Sequence, residues 1–317
     1  MGINLDKPER WKEDIARSVD QYNRWFLKFA PKTYREERVK ATEYVAAMLG
    51  RTNHLRNLTP KELTEHPSIL FALRMSTAPP IARDRLVGLA GVPKLLVNTM
   101  EKDGRLPRIM TKVVLNENLR KIARMIVRLT DVDIFPWLGE GRDPTEQEVY
   151  RAATIVADRL CRANADPIVR NAQERGQLLK IKKWLEARGY KDMTGKVSLD
   201  KMEPGFFAFR LNVPGLKEDH ESVNVPVDAV VLPVKAKPNE LPLMIKAESA
   251  GDFTNTNKRR KEEATKVGQL RRRYGNSVRY ILFLCGYFDS GYLGYEAAET
   301  IDWVWEHRLN DLAEFGL

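Results

Sequence analysis

Cysteine is nearly missing from this chain: Cys161 and Cys285 are the only two, far apart and outside any metal-ligand spacing. That excludes a disulfide framework and a cysteine-based zinc site, and it suits a reducing, cytoplasmic compartment. Both thiols read as buried apolar residues. Histidine is equally sparse. His54, His66, His220 and His307 form no HExxH motif and no Cys/His cluster, so neither a structural nor a catalytic zinc is expected. No hydrophobic run approaches the roughly 18 residues of a membrane helix, and the N-terminus lacks a signal-peptide apolar stretch. A soluble, unexported protein with no membrane partner is the expectation. No P-loop or dinucleotide-binding glycine motif follows a predicted strand, which disfavours ATP- or NAD-driven chemistry. Acidic residues are also in deficit. Against 53 Lys and Arg stand 43 Asp and Glu, a net charge of +10 that suits an anionic partner.

What is present falls into two parts. The 317 residues are 43% hydrophobic, enough for a sizeable core without staples. Residues 8 to 130 read as helices: Trp11, Ile15, Val19, Tyr22 and Trp25-Phe26 recur at helical spacing, and Arg35 to Leu49 repeats the pattern after Pro31. Thr59-Pro-Lys-Glu is a capped helix start. Leu89-Ala-Gly-Val92 separates two short apolar-periodic segments and suggests a DNA-reading helix-turn-helix, with Lys94, Asn98 and Thr99 pointing outward; a plain helical hairpin has the same pattern. Thr111 to Leu129 interleaves Lys112, Arg120, Lys121, Arg124 and Arg128 with apolar residues. Pro and Gly punctuate Asp131 to Pro144, a loop and domain boundary. Helices follow over Glu146 to Asn164, with a Thr145/Glu148 capping box, and over Asp166 to Tyr190, closed by Gly189. We therefore expect a helical DNA-recognition region over residues 1–160 and an α/β core over 161–317.

The core is organised around two β-branched runs, Val225 to Val234 and Leu241 to Ala250, joined by a polar turn. Gly205 to Val213 supplies an earlier strand. Ser277 to Gly286, almost continuously apolar, reads as a strand buried on both faces. Tyr292 to Phe315 reads as a closing helix anchored by Trp303 and Trp305. Alternation along a strand puts Lys246 and Glu248 on one face, and Asp228 on the neighbouring strand can face them. Three charges in an apolar hairpin are costly unless they pair or hold a metal. Two carboxylates suit Mg2+, which could supply an activated water and neutralise a phosphodiester's developing charge. A solvated Lys/Glu strand face would show the same spacing. After the hairpin, Asp252 to Tyr274 opens with Asn and Thr capping candidates and continues as a helix carrying Lys258, Arg259, Arg260, Lys261, Lys266 and Arg271 to Arg273, a surface for a polyanion.

This order of strand, turn, strand and basic helix resembles the PD-(D/E)XK nucleases. The wording Ile245-Lys-Ala-Glu-Ser-Ala-Gly-Asp-Phe-Thr-Asn-Thr-Asn-Lys-Arg-Arg-Lys-Glu-Glu263 is similar to XamI-type type II restriction endonucleases. The resemblance implies a restriction endonuclease-like mixed-sheet α/β core behind a large helical N-terminal region. It implies Mg2+-dependent hydrolysis of double-stranded DNA at a short palindrome such as GTCGAC by a homodimer. Asp228 and Glu248 would be the metal ligands, with Lys246 orienting water or stabilising phosphate. The family pattern places Glu before Lys, whereas here Lys246 precedes Glu248. That reversal leaves open a lysine role for Lys258 or Lys261, a ligand role for Glu262 or Glu263, and an inactive nuclease fold that only binds DNA. Glu174 matches an acidic residue that the family carries on a helix before the metal-site strands. Base and phosphate contacts are expected from Asn255, Asn257, Lys258, Arg259, Arg260 and Arg170, with Lys94 and Asn98 in the helical region.

Overall fold

A computed structural model describes residues 2–254 and 256–317, apart from the side chains of Asn164, Ala165, Asp166, Ile168, Asn257 and Lys258. Two units emerge, Pro31–Ile168 and the pair of segments Met1–Ala30 and Val169–Leu317. The first thirty residues thus belong with the C-terminal unit, a correction to a boundary drawn at residue 160. The reason lies in hydrogen bonding. The buried Asp302 carboxylate accepts from the N–H groups of Ile3 at 2.5 Å and of Asn4 and Leu5 at 3.1 Å. Asn4 also donates from Nδ2 to the Trp303 carbonyl, and Trp11 meets the Trp303 ring edge-on at 5.5 Å.

Two long helices, α1 (Pro8–Arg51) and α8 (Glu146–Glu186), each contain residues of both units. Sequence reasoning breaks each at its proline, but both run on through Pro31 and Pro167. A proline removes one N–H donor and strains one turn; the turns on either side keep their own bonds. Between them the helical unit adds α2 (Pro60–Glu65), α3 (Leu70–Met75), α4 (Arg83–Ala90), α5 (Lys94–Asp103), α6 (Lys112–Leu129) and α7 (Pro136–Glu140). The expected Thr145/Glu148 capping box forms, and the capped start at Thr59 is a capping box too, closed by Glu62. Gly91, at φ 60°, makes the turn between α4 and α5. Leu86, Leu96, Val97, Met100, Leu119, Ile122 and Ile126 join one core. Thr99, expected to point outward, is buried there and donates to the Leu95 carbonyl at 2.7 Å.

The second unit carries a six-stranded mixed sheet in sequence order: β1 (Lys191–Asp192), β2 (Phe206–Leu216), β3 (Ser222–Val231), β4 (Leu243–Ala250), β5 (Arg279–Gly286) and β6 (Asp302–Trp305). β3 pairs antiparallel with both β2 and β4, while β4, β5 and β6 run parallel and need helical connections, α9 (Thr256–Tyr274) and α10 (Ser290–Ala298). Trp303 and Trp305 therefore lie in a strand, not in the expected helix. Their side chains enter one core and Val304 the other, a two-residue alternation that fits a strand. Val267 and Leu270 of α9, with Phe288, Tyr292 and Leu293, cover the first sheet face; Leu178, Ile181, Trp184 and Leu185 of α8 cover the second. Among the described residues no helix is long and apolar enough to cross a membrane.

Candidate active site

The site forms where β3 and β4 part. Their pairing covers only Ala229↔Ile245, Val230↔Met244 and Val231↔Leu243. At the next position Asp228 replaces the backbone acceptor. Its Oδ2 accepts from the Ala247 N–H at 2.8 Å and from Lys246 Nζ at 2.7 Å. Alternation brings Glu248 to the face of Lys246, and Glu248 Oε1 lies 3.9 Å from the same Nζ. One ammonium thus stands between two carboxylates, all three largely buried. The strand faces switch at the parting, with the register against β2 the same on either side. Val225 and Val227 enter one core but Ala229 and Val231 the other, while Arg210 on β2 adopts φ 55°.

Burial and charge set the protonation of these groups. Burial alone would lower the Lys246 pKa, but the carboxylates of Asp228 and Glu248 outweigh it and raise it. Burial raises the pKa of Glu248, helped by Glu263 and opposed by Lys246 and Arg259. Arg259, on α9, donates to Glu248 Oε2 at 3.2 Å and to the Ser249 carbonyl. Further in, Glu263 accepts from the Tyr280 hydroxyl and from Lys266 Nζ at 2.5 Å. Glu296 on α10 is fully buried, with the Tyr292 hydroxyl beside it. Burial pushes the Glu296 pKa up to about 8, opposed first by the Tyr292 hydroxyl and then by Arg260, and aided by Glu263 and Glu248.

From the opposite face α8 contributes Gln177, 1% exposed, whose Nε2 donates to the carbonyls of Glu248 at 3.3 Å and Phe283 at 3.2 Å. This amide ties the backbone carrying Glu248 to β5. Glu174, expected to face the metal-site strands, instead pairs with Arg210 at 3.0 Å on a part-exposed surface. Lys261 is exposed and lines a surface groove with Glu262, Thr265, Lys266 and Gln269. Arg260 stacks on Tyr295 with its guanidinium carbon 3.3 Å from the ring centre, and Arg170 is exposed on α8. Lys94 pairs with Asp84 at 3.0 Å, and Asn98 accepts from Arg83 at 3.1 Å. Asn255, and the side chains of Asn257 and Lys258, lie outside the described residues.

Sequence reasoning passed over Gln177 and Glu296. A signal existed for both. Gln173 and Gln177 repeat at helical spacing beside Leu178 and Ile181, and Glu296 is the lone charge in the run Gly291 to Ala298. Among the described residues no three His, Cys, Asp or Glu side chains gather to hold a metal. Asp228 and Glu248 offer the smaller donor set, one or two carboxylates with waters, that Mg2+ accepts.

A mixed α/β unit with two carboxylates about one lysine, and a cationic helix alongside, defines a protein built to meet polyanions. The XamI restriction endonuclease family profile matches residues 53–305, and the type II restriction enzyme SalI of Streptomyces albus G is 54% identical over 318 residues, covering 99% of each chain. The chain belongs to the XamI restriction endonuclease family and is a type II site-specific deoxyribonuclease. No solved structure matches it.

Proposed function

We propose that the chain hydrolyses one phosphodiester in each strand of a palindromic DNA duplex, with Mg2+ held by Asp228 and Glu248. The observation that carries this reading is the placement of both carboxylates about Lys246 Nζ, at 2.7 and 3.9 Å. The order α8, β2, β3, β4, α9, β5 supports assignment to the PD-(D/E)XK class, since three antiparallel strands lead through a helix to a parallel one. Bound there, Mg2+ would supply charge neutralisation at the phosphate and a water of lowered pKa.

The chain's own residues do the remaining work. The Ala247 N–H and Lys246 anchor the Asp228 carboxylate, leaving it little rotational freedom. Lys246, kept cationic by its two acids, is placed to hold the attacking water or a phosphate oxygen. Because Lys246 and Glu248 share a strand face, the reversed order exchanges their depth and keeps both in the site. Arg259 caps Glu248 and turns the cationic helix towards the substrate backbone. Arg170 and Arg260 would add phosphate or base contacts, while α4 and α5, presenting Lys94 and Asn98, would read DNA in the helical unit. GTCGAC is the site that resemblance to XamI-type enzymes suggests, and palindromy implies a two-fold dimer.

Plasmid incubated with Mg2+, with EDTA, and with Asp228→Ala tests the proposal. Discrete fragments that require Mg2+ and vanish in the variant support it, and sequencing their ends identifies the palindrome. A salt-sensitive gel shift without any cutting favours the rival reading, a DNA-binding protein on an inactive nuclease fold.

A further inference from the structure

Within the helical unit, α6 presents an outward stripe that the candidate active site leaves unused. Arg120, Arg124 and Arg128 follow one another at intervals of four, so they line one helix face at steps of about 6 Å. All three are exposed, as is Val127 beside them. They border a groove of about 450 Å3 whose other wall is Leu58, Thr59 and Pro60. Their local charge is poorly balanced. From residue 118 to residue 130 the chain carries four cations, Arg120, Lys121, Arg124 and Arg128, and no acid. Among the described residues, Arg120 is the one ladder arginine with an ion pair, to Glu117 at 2.8 Å, and that pair is half exposed.

This differs from the unit's other arginines. Arg74 is buried against Glu101, Arg159 is held by Asp131, and Arg142 is clamped by Glu140 and Glu148. Those cations serve the fold. The α6 row does not, since the buried face of the same helix (Leu119, Ile122, Ala123 and Ile126) already holds it to the core. Holding uncompensated guanidinium groups in a row costs repulsion that an external polyanion would relieve. Their regular step suits a regularly charged backbone better than a compact ligand. Guanidinium forks also bind phosphate bidentately.

We propose that the Arg120, Arg124 and Arg128 face of α6 binds the phosphate backbone of the DNA duplex, as a sequence-independent contact separate from the site at Asp228. The inference rests on duplex DNA being the substrate. Its test reads binding in EDTA, where cutting is not measured. Full-length protein and the double variant Arg124→Gln/Arg128→Gln are titrated against a GTCGAC duplex and a scrambled one at several salt concentrations. Each lost phosphate contact should flatten the slope of log K against log salt by about 0.9, so by about 1.8 for the pair, with equal fold-loss on both duplexes. Arg124→Lys/Arg128→Lys should retain the slope. Arg142→Gln, which removes an exposed cation elsewhere in the unit, should leave it unchanged. An unaltered slope in a double variant that melts like the parent overturns the proposal. So does an equal change in Arg142→Gln, which would make the effect one of net charge, or a loss confined to the GTCGAC duplex. A shift in sedimentation with no change in slope overturns it too and makes this face a contact between copies of the chain. Failure of the nuclease reading shows separately, as absence of Mg2+-dependent cutting by the unaltered protein.

Discussion

Single side chains dominate the chemistry because the parting of β3 and β4 places three charges where water is scarce. Asp228→Asn keeps shape and hydrogen bonding but removes the charge that holds Lys246 and would hold the metal, so cleavage should fall to background while duplex binding in EDTA persists. On the proposed function, Lys246→Ala would remove a group that stabilises developing phosphate charge. A loss in single-turnover rate of about 10²–10³ is expected, the range seen when one stabilising donor is deleted. Glu296 has a different signature. Its folded pKa lies above its unfolded value, so the folded state binds the extra proton between about pH 4.5 and about 8. Its contribution to stability therefore declines as pH rises through that window. Thermal melts should show Glu296→Gln less sensitive to pH there than the parent, with the variant gaining relative stability on the order of a few kcal/mol towards pH 8. Parallel pH profiles would rule the assignment out. The triad itself was legible, because two-residue alternation alone puts Lys246 with Glu248. Glu296 left only the signal of a lone acid in an apolar helix, which looks the same in sequence whether it faces solvent or the core.

At the scale of elements, the close approach of β4 and β5 beyond the site depends on Gly286. It adopts φ 103°, and a Cβ there would fall 2.1 Å from the Ala250 carbonyl oxygen. Its N–H is taken by Ser18 Oγ at 2.7 Å. Gly286→Ala combines a backbone clash with a left-handed strain, and a loss of roughly 3 kcal/mol or more is expected in chemical denaturation. Gln177 acts across elements. Replacing it with Leu strips the donor from two buried carbonyls at about 1–3 kcal/mol, and it should also raise the Mg2+ concentration needed for half-maximal cutting by releasing the Glu248 backbone. Gln177→Glu, of similar size but lacking the amide donor, should show the same shift, whereas Gln177→Asn should restore part of it only if its shorter arm still reaches. The strands β3 and β4 were readable from β-branched runs, and β2 and β5 from apolar stretches. β6 was not: four residues are too few to declare a period, and two tryptophans fit a helix as well until Asp302 is seen tied to the N-terminal segment.

For the whole molecule, the division of the chain was the least legible feature. Composition marks a break near residues 131–144, yet the boundary falls inside two helices, at Ala30/Pro31 and Ile168/Val169. Asp302, buried and fed by the N–H groups of residues 3 to 5, explains why the first turn of chain belongs with the last strand. Deleting residues 2–5 should leave that carboxylate without three donors and lower the melting temperature markedly, at about 1–3 kcal/mol for each orphaned contact. Soluble protein with unchanged melting would refute this. Affinity for DNA should fall steeply with salt, as the net charge of +10 requires.

By itself the sequence indicated most helical and β regions and the shared face of residues 246 and 248, because alternation, capping and charge are local properties of neighbouring residues; the class of chemistry came from its resemblance to XamI-type enzymes. The tertiary structure alone decided what depends on contacts distant along the chain. It joined the two ends, carried the long helices through their prolines, assigned Glu174 to Arg210, brought Gln177 behind the active strand, and buried Glu296. Those outcomes follow from which surfaces exclude water together, and no short stretch of residues records that.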